Sequence, residues 1–392
     1  MSVSRRVFLG AAAVLPAAAA NDRIRLGIIG AGSRGQYLFN EIRRCPDRNV
    51  AITAICDVYR PHREALAARA AEVQGLTPRL TPDYRELLGW NDVDAVIIAT
   101  PDFSHSRILQ DAIRRGKDAY CEKPMATTIT GARDAFHAVK QSDRVVQIGT
   151  QRRSESRYVA AAKLVHSGIL GKVTRIDISV NFQEPRWRRD YTQVRPEDLA
   201  WPQFLMGRPG SEVNLRRWRE WQLFKESTNG IPGLWMSHFA DVVAWFMQDP
   251  YPATAVANGG VFLWNDGREV EDVFQAALTY PKGFLFTFAM SLTNEAGNRN
   301  LWHGTNGTLD ADRFLITGAG SRRPERIDRE ISIGEEPVTS HMADFLDCIR
   351  SRRQPRGNIE SGMSHAVAGC MAAEALAQGR RIGFDPAKLE LV

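Results

Sequence analysis

The chain has 392 residues, enough for two domains that each bury a core. Its 44% apolar and 24% charged content is ordinary for a water-soluble globular protein, and the net charge of +6 is mild. No basic block alternates with aromatic residues, which argues against a nucleic-acid partner. The five cysteines (Cys45, Cys56, Cys121, Cys348 and Cys370) are far apart, odd in number and without CxxC spacing, which argues against a disulfide framework or a structural zinc site.

Residues 1–20 read as a targeting segment. Arg5 and Arg6 precede Val7-Phe8-Leu9 and an Ala-rich run, and Ala18-Ala19-Ala20 offers a small-residue cleavage site. Ser4-Arg5-Arg6-Val7-Phe8-Leu9 has the form of a twin-arginine signal, which implies the twin-arginine export machinery as partner and a periplasmic or otherwise exported location. The alternative is an ordinary secretory signal with two incidental arginines. The run is too short for a permanent span, and no stable membrane insertion is expected.

Residues 21–149 alternate short apolar runs (Ile24–Ile29, Val50–Cys56, Ala95–Ala99, Ala119–Cys121, Val145–Ile148) with amphipathic stretches such as Pro61–Val73 and Ser104–Arg115. Repeated βα units predict a doubly wound parallel sheet, α/β in class. Residues 150–392 differ in texture. A helical stretch, Ser154–Ser167, is followed by alternation at Val173–Val180, an irregular Trp- and Arg-rich region at Gln183–Glu226, and strand-like runs at Thr254–Val261, Phe274–Tyr280 and Phe284–Met290. This predicts an α+β domain with an open-faced, mainly antiparallel sheet. Two helical segments, Ser340–Ser351 and Ser361–Gln378, are expected to close the chain.

The first apolar run leads into Gly30-Ala31-Gly32-Ser33-Arg34-Gly35, a GxGxxG between strand and helix. Gly30 permits the tight turn, Gly32 lets backbone reach a pyrophosphate, and Gly35 lets helix and strand pack closely. The phosphates then face a helix N-terminus, where Ser33 and Arg34 are placed to add contacts. Asp57 follows Gly35 by 22 residues at the end of the second apolar run. A carboxylate there accepts from ribose hydroxyls and repels a 2′-phosphate, which favours NAD over NADP; Arg60 lies near enough to blur that preference.

Two further stretches carry a resemblance. Thr100-Pro101 and His105 follow the run at 95–99, and Glu122-Lys123-Pro124 follows the run at 119–121. With the glycine loop, Gly149-Thr150-Gln151-Arg152, Trp201 to Gly207, Gly304-Thr305-Asn306-Gly307-Thr308 and the helix at His341–Leu346, the chain resembles the Gfo/Idh/MocA family, which includes glucose–fructose oxidoreductase and inositol dehydrogenase. The resemblance implies a Rossmann domain followed by an open-sheet domain, a homodimer or homotetramer paired through that sheet, and a carbohydrate substrate. Thr100, Pro101, His105, Glu122, Lys123 and Gln151 fall to the cofactor side.

The resemblance also places Lys123 beside the nicotinamide and the reacting carbon. An ammonium there stabilises a developing alkoxide, or relays its proton when burial lowers its pKa. His238 matches the family's histidine acid/base, with Asp241 three residues on to orient its ring or form part of the helix start. Many relatives carry an Asp four residues before this histidine; here it is Leu234, and Met236 replaces a common glycine. Tyr191, Glu184 and Glu226 are candidate replacements for the carboxylate. The segment Phe182–Trp221 is the expected specificity region, its Trp187, Trp201, Trp218 and Trp221 facing sugar C–H surfaces and its arginines gripping oxygens. Arg152, Tyr191, Trp218 and Trp235 are candidate substrate contacts. No cluster argues for a catalytic metal.

Three functional readings follow. The first is an oxidoreductase moving hydride between a tightly held NAD(P) and a sugar, polyol or sugar derivative. The second is a redox-neutral glycosidase or lyase acting through transient sugar oxidation. The third is a non-catalytic sugar-binding protein on the same scaffold.

Overall fold

The computed structural model describes residues 23–392; the targeting segment read at residues 1–20 lies outside them. The first half runs β1 (Ile24–Ile29), α1 (Ser33–Arg43), β2 (Val50–Cys56), α2 (Arg60–Gln74), β3 (Arg79–Thr81), α3 (Tyr84–Leu88), β4 (Ala95–Ile98), α4 (His105–Arg114), β5 (Asp118–Cys121), α5 (Ile129–Lys140) and β6 (Val146–Ile148). The six strands are parallel, in the order β3-β2-β1-β4-β5-β6. Every residue of β4 is fully buried, as a strand covered on both faces requires. The strand order reverses between β1 and β4, so their carboxyl ends open a crevice where ligands of such sheets bind.

The second half runs α6 (Ser156–His166), β7 (Val173–Asn181), α7 (Trp201–Leu205), α8 (Leu215–Arg219), α9 (Ser237–Met247), β8 (Thr254–Gly260), β9 (Val273–Tyr280), β10 (Phe284–Ser291), β11 (Arg299–Gly304), β12 (Thr308–Asp310), β13 (Leu315–Thr317), β14 (Ile331–Ser332), α10 (His341–Ser351), α11 (Ile359–Gln378), β15 (Ile382–Asp385) and β16 (Glu390–Leu391). Its sheet has ten strands, ordered β14-β13-β12-β11-β7-β10-β9-β8-β15-β16, and only the β7–β10 pair is parallel. Alternation in β10 sends Phe284, Phe286, Phe288 and Met290 inward and leaves Leu285, Thr287, Ala289 and Ser291 on the more open face. Each of the inward phenylalanines contributes roughly 1.5–3 kcal/mol through burial. α9 and α11 pack on each other, and α11 covers β8.

Two expectations are corrected. The late helices do not close the chain: β15 follows α11, pairs with β8 and continues into β16, extending the sheet. The segment 341–351 also leaves its own half. Met342, Phe345 and Leu346 of α10 join the core built on Leu26, Phe39 and Tyr120, and the Phe345 and Tyr120 rings meet at 5.9 Å. α10 thereby ties the second half back onto the first sheet. Among the described residues, no helix is long and apolar enough to cross a membrane, and all five cysteines are buried and free.

Candidate active site

A cavity of about 410 Å³ lies at the carboxyl ends of β1, β2 and β4, and its wall includes Gly30, Asp57, Lys123 and His238. The glycine loop has the shape a dinucleotide needs. Gly30 takes φ +95°, and a Cβ there would lie 2.5 Å from the Ala99 carbonyl oxygen. A Cβ on Gly35 would lie 1.9 Å from the Gly30 carbonyl oxygen, so only glycine lets α1 close against the loop. Gly32 faces the cavity, and a Cβ there meets nothing nearer than the His62 ring at 3.9 Å. The space beside Gly32 is the cradle in which phosphates would meet the first turn of α1. Ser33 and Arg34 also line it.

Asp57 terminates β2 and braces this loop. One carboxylate oxygen accepts from Ala31 N at 2.7 Å and the other from Tyr59 N at 2.8 Å. Asp57 also lines the cavity. Arg34 Nε donates to Glu122 Oε1 at 2.7 Å, and Nη2 lies 2.6 Å from the same oxygen. Glu122 also receives Tyr120 OH at 3.3 Å and Gln151 Nε2 at 3.1 Å, and Gln151 donates to the Tyr120 oxygen at 2.8 Å. This network fixes the floor of the cavity. Arg34 and Glu122, both expected on the cofactor side, mainly neutralise each other.

The loop after β4 and the loop after β5 are fastened by His105. Its ring nitrogens lie 2.7 Å from the Thr100 carbonyl and 2.8 Å from the Pro124 carbonyl. Thr100 accepts from Ser104 Oγ at 2.6 Å, and Pro101 precedes the single turn that carries Asp102. Thr100 and Pro101 line the cavity; His105 touches its wall while its ring holds the two loops in register.

The sequence reading missed Asp102. It is buried, lines the cavity, and accepts from Thr228 Oγ1 at 2.8 Å. Burial pushes its carboxyl up, opposed by His105 and Lys123. Burial lowers the Lys123 pKa, opposed by Asp102 first and then Glu122. Asp102 is thus the carboxylate that most favours the charged form of Lys123. Its position directly after Thr100-Pro101 was the available signal. The three replacements expected for the missing carboxylate lie elsewhere: Glu184 pairs with Arg186 at 3.1 Å, Glu226 with Arg217 at 2.7 Å, and Tyr191 is not on the cavity wall.

Lys123 Nζ donates to the Leu234 carbonyl oxygen at 2.8 Å. Leu234 sits in a π-helical turn, Pro232–Met236, that runs into α9. His238, in the first turn of α9, lines the same cavity. Burial and then the charges of Lys123, Arg152 and Arg34 hold its pKa well below the ordinary histidine range, so the ring is a neutral acceptor near pH 7.

Several candidates lie elsewhere than expected. Asp241 does not orient His238. Both its oxygens accept from Arg153 Nε, at 2.9 and 3.0 Å, inside the second domain. An ion pair already satisfied on both sides leaves no carboxylate for the ring. Arg152 sits behind His238: its guanidinium lies 4.1 Å from the Phe239 ring centre and donates to the His238 carbonyl at 3.4 Å. Trp235 packs on Phe182 at 5.3 Å and edges His238 at 6.3 Å, off the cavity wall.

The Trp-rich segment is a strap across the first domain rather than a pocket for substrate alone. Ala200 N donates to the Val58 carbonyl at 2.8 Å, Tyr59 bridges Leu199, and Arg60 pairs with Asp198. Trp201, Phe204 and Trp218 form a small core beneath it, partly against Val58, Tyr59 and Phe103. Trp218 packs at a tilt 4.7 Å from Tyr59 and 5.9 Å from His62, and it lines the same cavity as Asp57. Arg60, drawn to Asp198, is turned to the strap.

Comparison with known proteins agrees with this geometry. Residues 24–150 match the family model described as oxidoreductase family, NAD-binding Rossmann fold, and residues 202–310 match the GFO/IDH/MocA C-terminal domain. An inositol 2-dehydrogenase/D-chiro-inositol 3-dehydrogenase of Lactiplantibacillus plantarum is 27% identical over 195 residues, 50% of this chain and 51% of that protein. The chain spans about half the length of the curated relatives it matches. An aldose–aldose oxidoreductase from Caulobacter crescentus, solved with glycerol, superposes with TM-score 0.69 at 18% identity, covering 92% of this chain and 100% of that one. A levoglucosan dehydrogenase in complex with NADH superposes with TM-score 0.68 at 18% identity, covering 92% and 99%. At that identity the two structures establish a shared fold.

Proposed function

The chain belongs to the Gfo/Idh/MocA oxidoreductase family, and from that premise we propose that it moves a hydride between a tightly held NAD(P) and a CH–OH group of a sugar, polyol or sugar derivative. The observation that carries this reading is that Lys123 and His238 both line the cavity that the glycine loop opens. A nicotinamide bound there supplies the hydride acceptor or donor. The chain's own residues handle the proton. As the carbinol carbon loses hydride, its hydroxyl proton passes to a base, and neutral His238 is such a base. The Lys123 ammonium, held by Leu234 O and favoured in its charged form by Asp102, stabilises the oxygen while negative charge develops on it.

Asp57, on the cavity wall at the end of β2, supports NAD over NADP. The strap over the cavity supports a cofactor that stays bound, and Ser4–Leu9 supports twin-arginine export to the periplasm, where little free dinucleotide is at hand. The test is to denature the purified protein, identify any released dinucleotide, and then incubate native protein with sugars and glycosides while following reduced cofactor and product. Net sugar oxidation matched by reduction of cofactor or of a second sugar supports the reading. Aglycone release without net redox change moves the assignment to transient-oxidation cleavage. Protein that binds sugar but no dinucleotide overturns it.

A further inference from the structure

Eight arginines lie in the strap between Phe182 and Trp221, and the structure divides them. Arg186 pairs with Glu184 at 3.1 Å, Arg188 with Glu220 at 2.8 Å, Arg216 with Glu220 at 3.0 Å, and Arg217 with Glu226 at 2.7 Å. Arg195 pairs with Asp198 at 2.9 Å. Arg189, Arg208 and Arg219 make no carboxylate ion pair among the described residues; Arg208 donates to the Leu205 and Glu226 carbonyls, and of the eight only Arg189 and Arg219 line the cavity. Arg189 Nη2 donates to Gln222 Oε1 at 3.2 Å, and Arg219 Nε donates to the Asp190 carbonyl at 3.3 Å. Neither bond neutralises a positive charge.

The two guanidiniums are neighbours. Crowding by protein atoms, and then the charge of Arg219, push the Arg189 pKa below its ordinary value. A train of contacts leads from the glycine loop to them. The Gly32 Cβ position is 3.9 Å from the His62 ring, His62 is 5.9 Å from Trp218, and the Arg219 guanidinium is 5.7 Å from the Trp218 ring. The loop's own arginine is engaged elsewhere, since Arg34 is held by Glu122. The phosphate cradle thus has backbone N–H groups but little free positive charge from its own domain. Glu220 opposes the lowering of the Arg189 pKa but is already paired with Arg188 and Arg216, and Asp190 makes no ion pair with Arg219, so two like charges lie together without a dedicated carboxylate, an arrangement that an anion between them would relieve.

We propose that Arg189 and Arg219 form an oxyanion-binding pair, supplied by the strap across the cavity, that takes a phosphate or carboxylate group of the bound small molecule. That group belongs either to the diphosphate bridge of the cofactor or to an acidic sugar. The inference rests on the reading of the cavity as a dinucleotide and sugar site. In the first case the second domain grips the cofactor's phosphates directly, which accounts for retention. In the second the substrate class narrows to sugar acids.

The test compares wild type with Arg189→Gln/Arg219→Gln and with Arg189→Lys/Arg219→Lys, in full-length protein stripped of any cofactor. Affinities are measured for ADP-ribose, adenosine, D-glucuronate and D-glucose at low and moderate salt. A fall in ADP-ribose affinity on the order of tenfold or more, with adenosine unchanged, a weaker salt dependence and partial recovery in the lysine variant, assigns the pair to the diphosphate. The same pattern for D-glucuronate against D-glucose, with ADP-ribose unchanged, assigns it to the substrate. Unchanged affinity for both anions, or wild type that binds neither, overturns the pair. Wild type that shows either pattern yet oxidises no sugar keeps the pair and removes the proposed reaction.

Discussion

The ammonium of Lys123 donates to the backbone carbonyl of Leu234 at 2.8 Å, across the junction between the two domains. A backbone oxygen thus accepts from the ammonium, and among the charges acting on Lys123 buried Asp102 does most to raise its pKa against burial. Replacing Lys123 by methionine keeps the stem and removes the charge. We expect kcat/KM for sugar oxidation to fall by roughly 10²–10⁴ while dinucleotide affinity stays within a few-fold, checked by steady-state kinetics beside a binding titration.

Asp102→Asn tests this effect. Asp102 raises the Lys123 pKa against burial, so its loss should lower that pKa further. The limb of the pH–rate profile that reports Lys123 should move to lower pH. An unmoved limb with normal folding would detach Asp102 from Lys123.

His238 is held neutral because burial and neighbouring positive charges depress its pKa. The acidic limb of kcat/KM is therefore expected below the ordinary histidine value of about 6.5. His238→Gln should abolish that limb and lower the rate by about 10²–10⁴. A rate that keeps its acidic limb in the variant would remove His238 from proton transfer.

Asp241 predicts the opposite behaviour. Its side chain and that of Arg153 are 2% and 15% exposed, and they satisfy each other. Asp241→Ala leaves a buried guanidinium unpaired and should reduce stability by about 3–5 kcal/mol in urea unfolding. The pH profile of the remaining activity should be unaltered.

Beside His238, two further buried histidines make the fold lose stability as pH falls. Burial lowers His341 to about 4 and His365 to about 3. Below the unfolded value of about 6.5, the unfolded chain binds protons that the folded chain refuses, so stability falls as pH falls. Each histidine adds a slope of about 1.4 kcal/mol per pH unit, running down to about pH 4 for His341 and about pH 3 for His365. Unfolding free energies measured from pH 7 to pH 4 should show this loss, and His341→Gln should remove one histidine's share of the slope.

Much of the first domain was legible because its signals are local. GxGxxG, the apolar runs and the acidic residue after the second run each report on neighbours in sequence, and the strands lie within a residue or two of expectation. β3 and α3, at three and five residues, are too short to show a period. What the sequence hid was long-range pairing. HxxD puts Asp241 on the same helix as His238, yet Arg153 claims it from 88 residues away. Arginines in the strap look alike until their partners, up to 78 residues distant, are known. Nothing local reveals that Trp218 packs against Tyr59 and His62 of the first domain. Asp102 was overlooked since its burial depends on Thr228, 126 residues on.

The central claim is that a dinucleotide and a sugar meet at Lys123 and His238. Its most direct test is the absorbance of reduced nicotinamide in purified, NAD-loaded protein after a sugar or polyol is added, beside the Lys123→Met variant. Wild type is expected to form reduced cofactor on the enzyme, and the variant, with cofactor equally bound, to do so at least about 100-fold more slowly. Equal rates in the two proteins, or a wild type that takes up no dinucleotide, would contradict it.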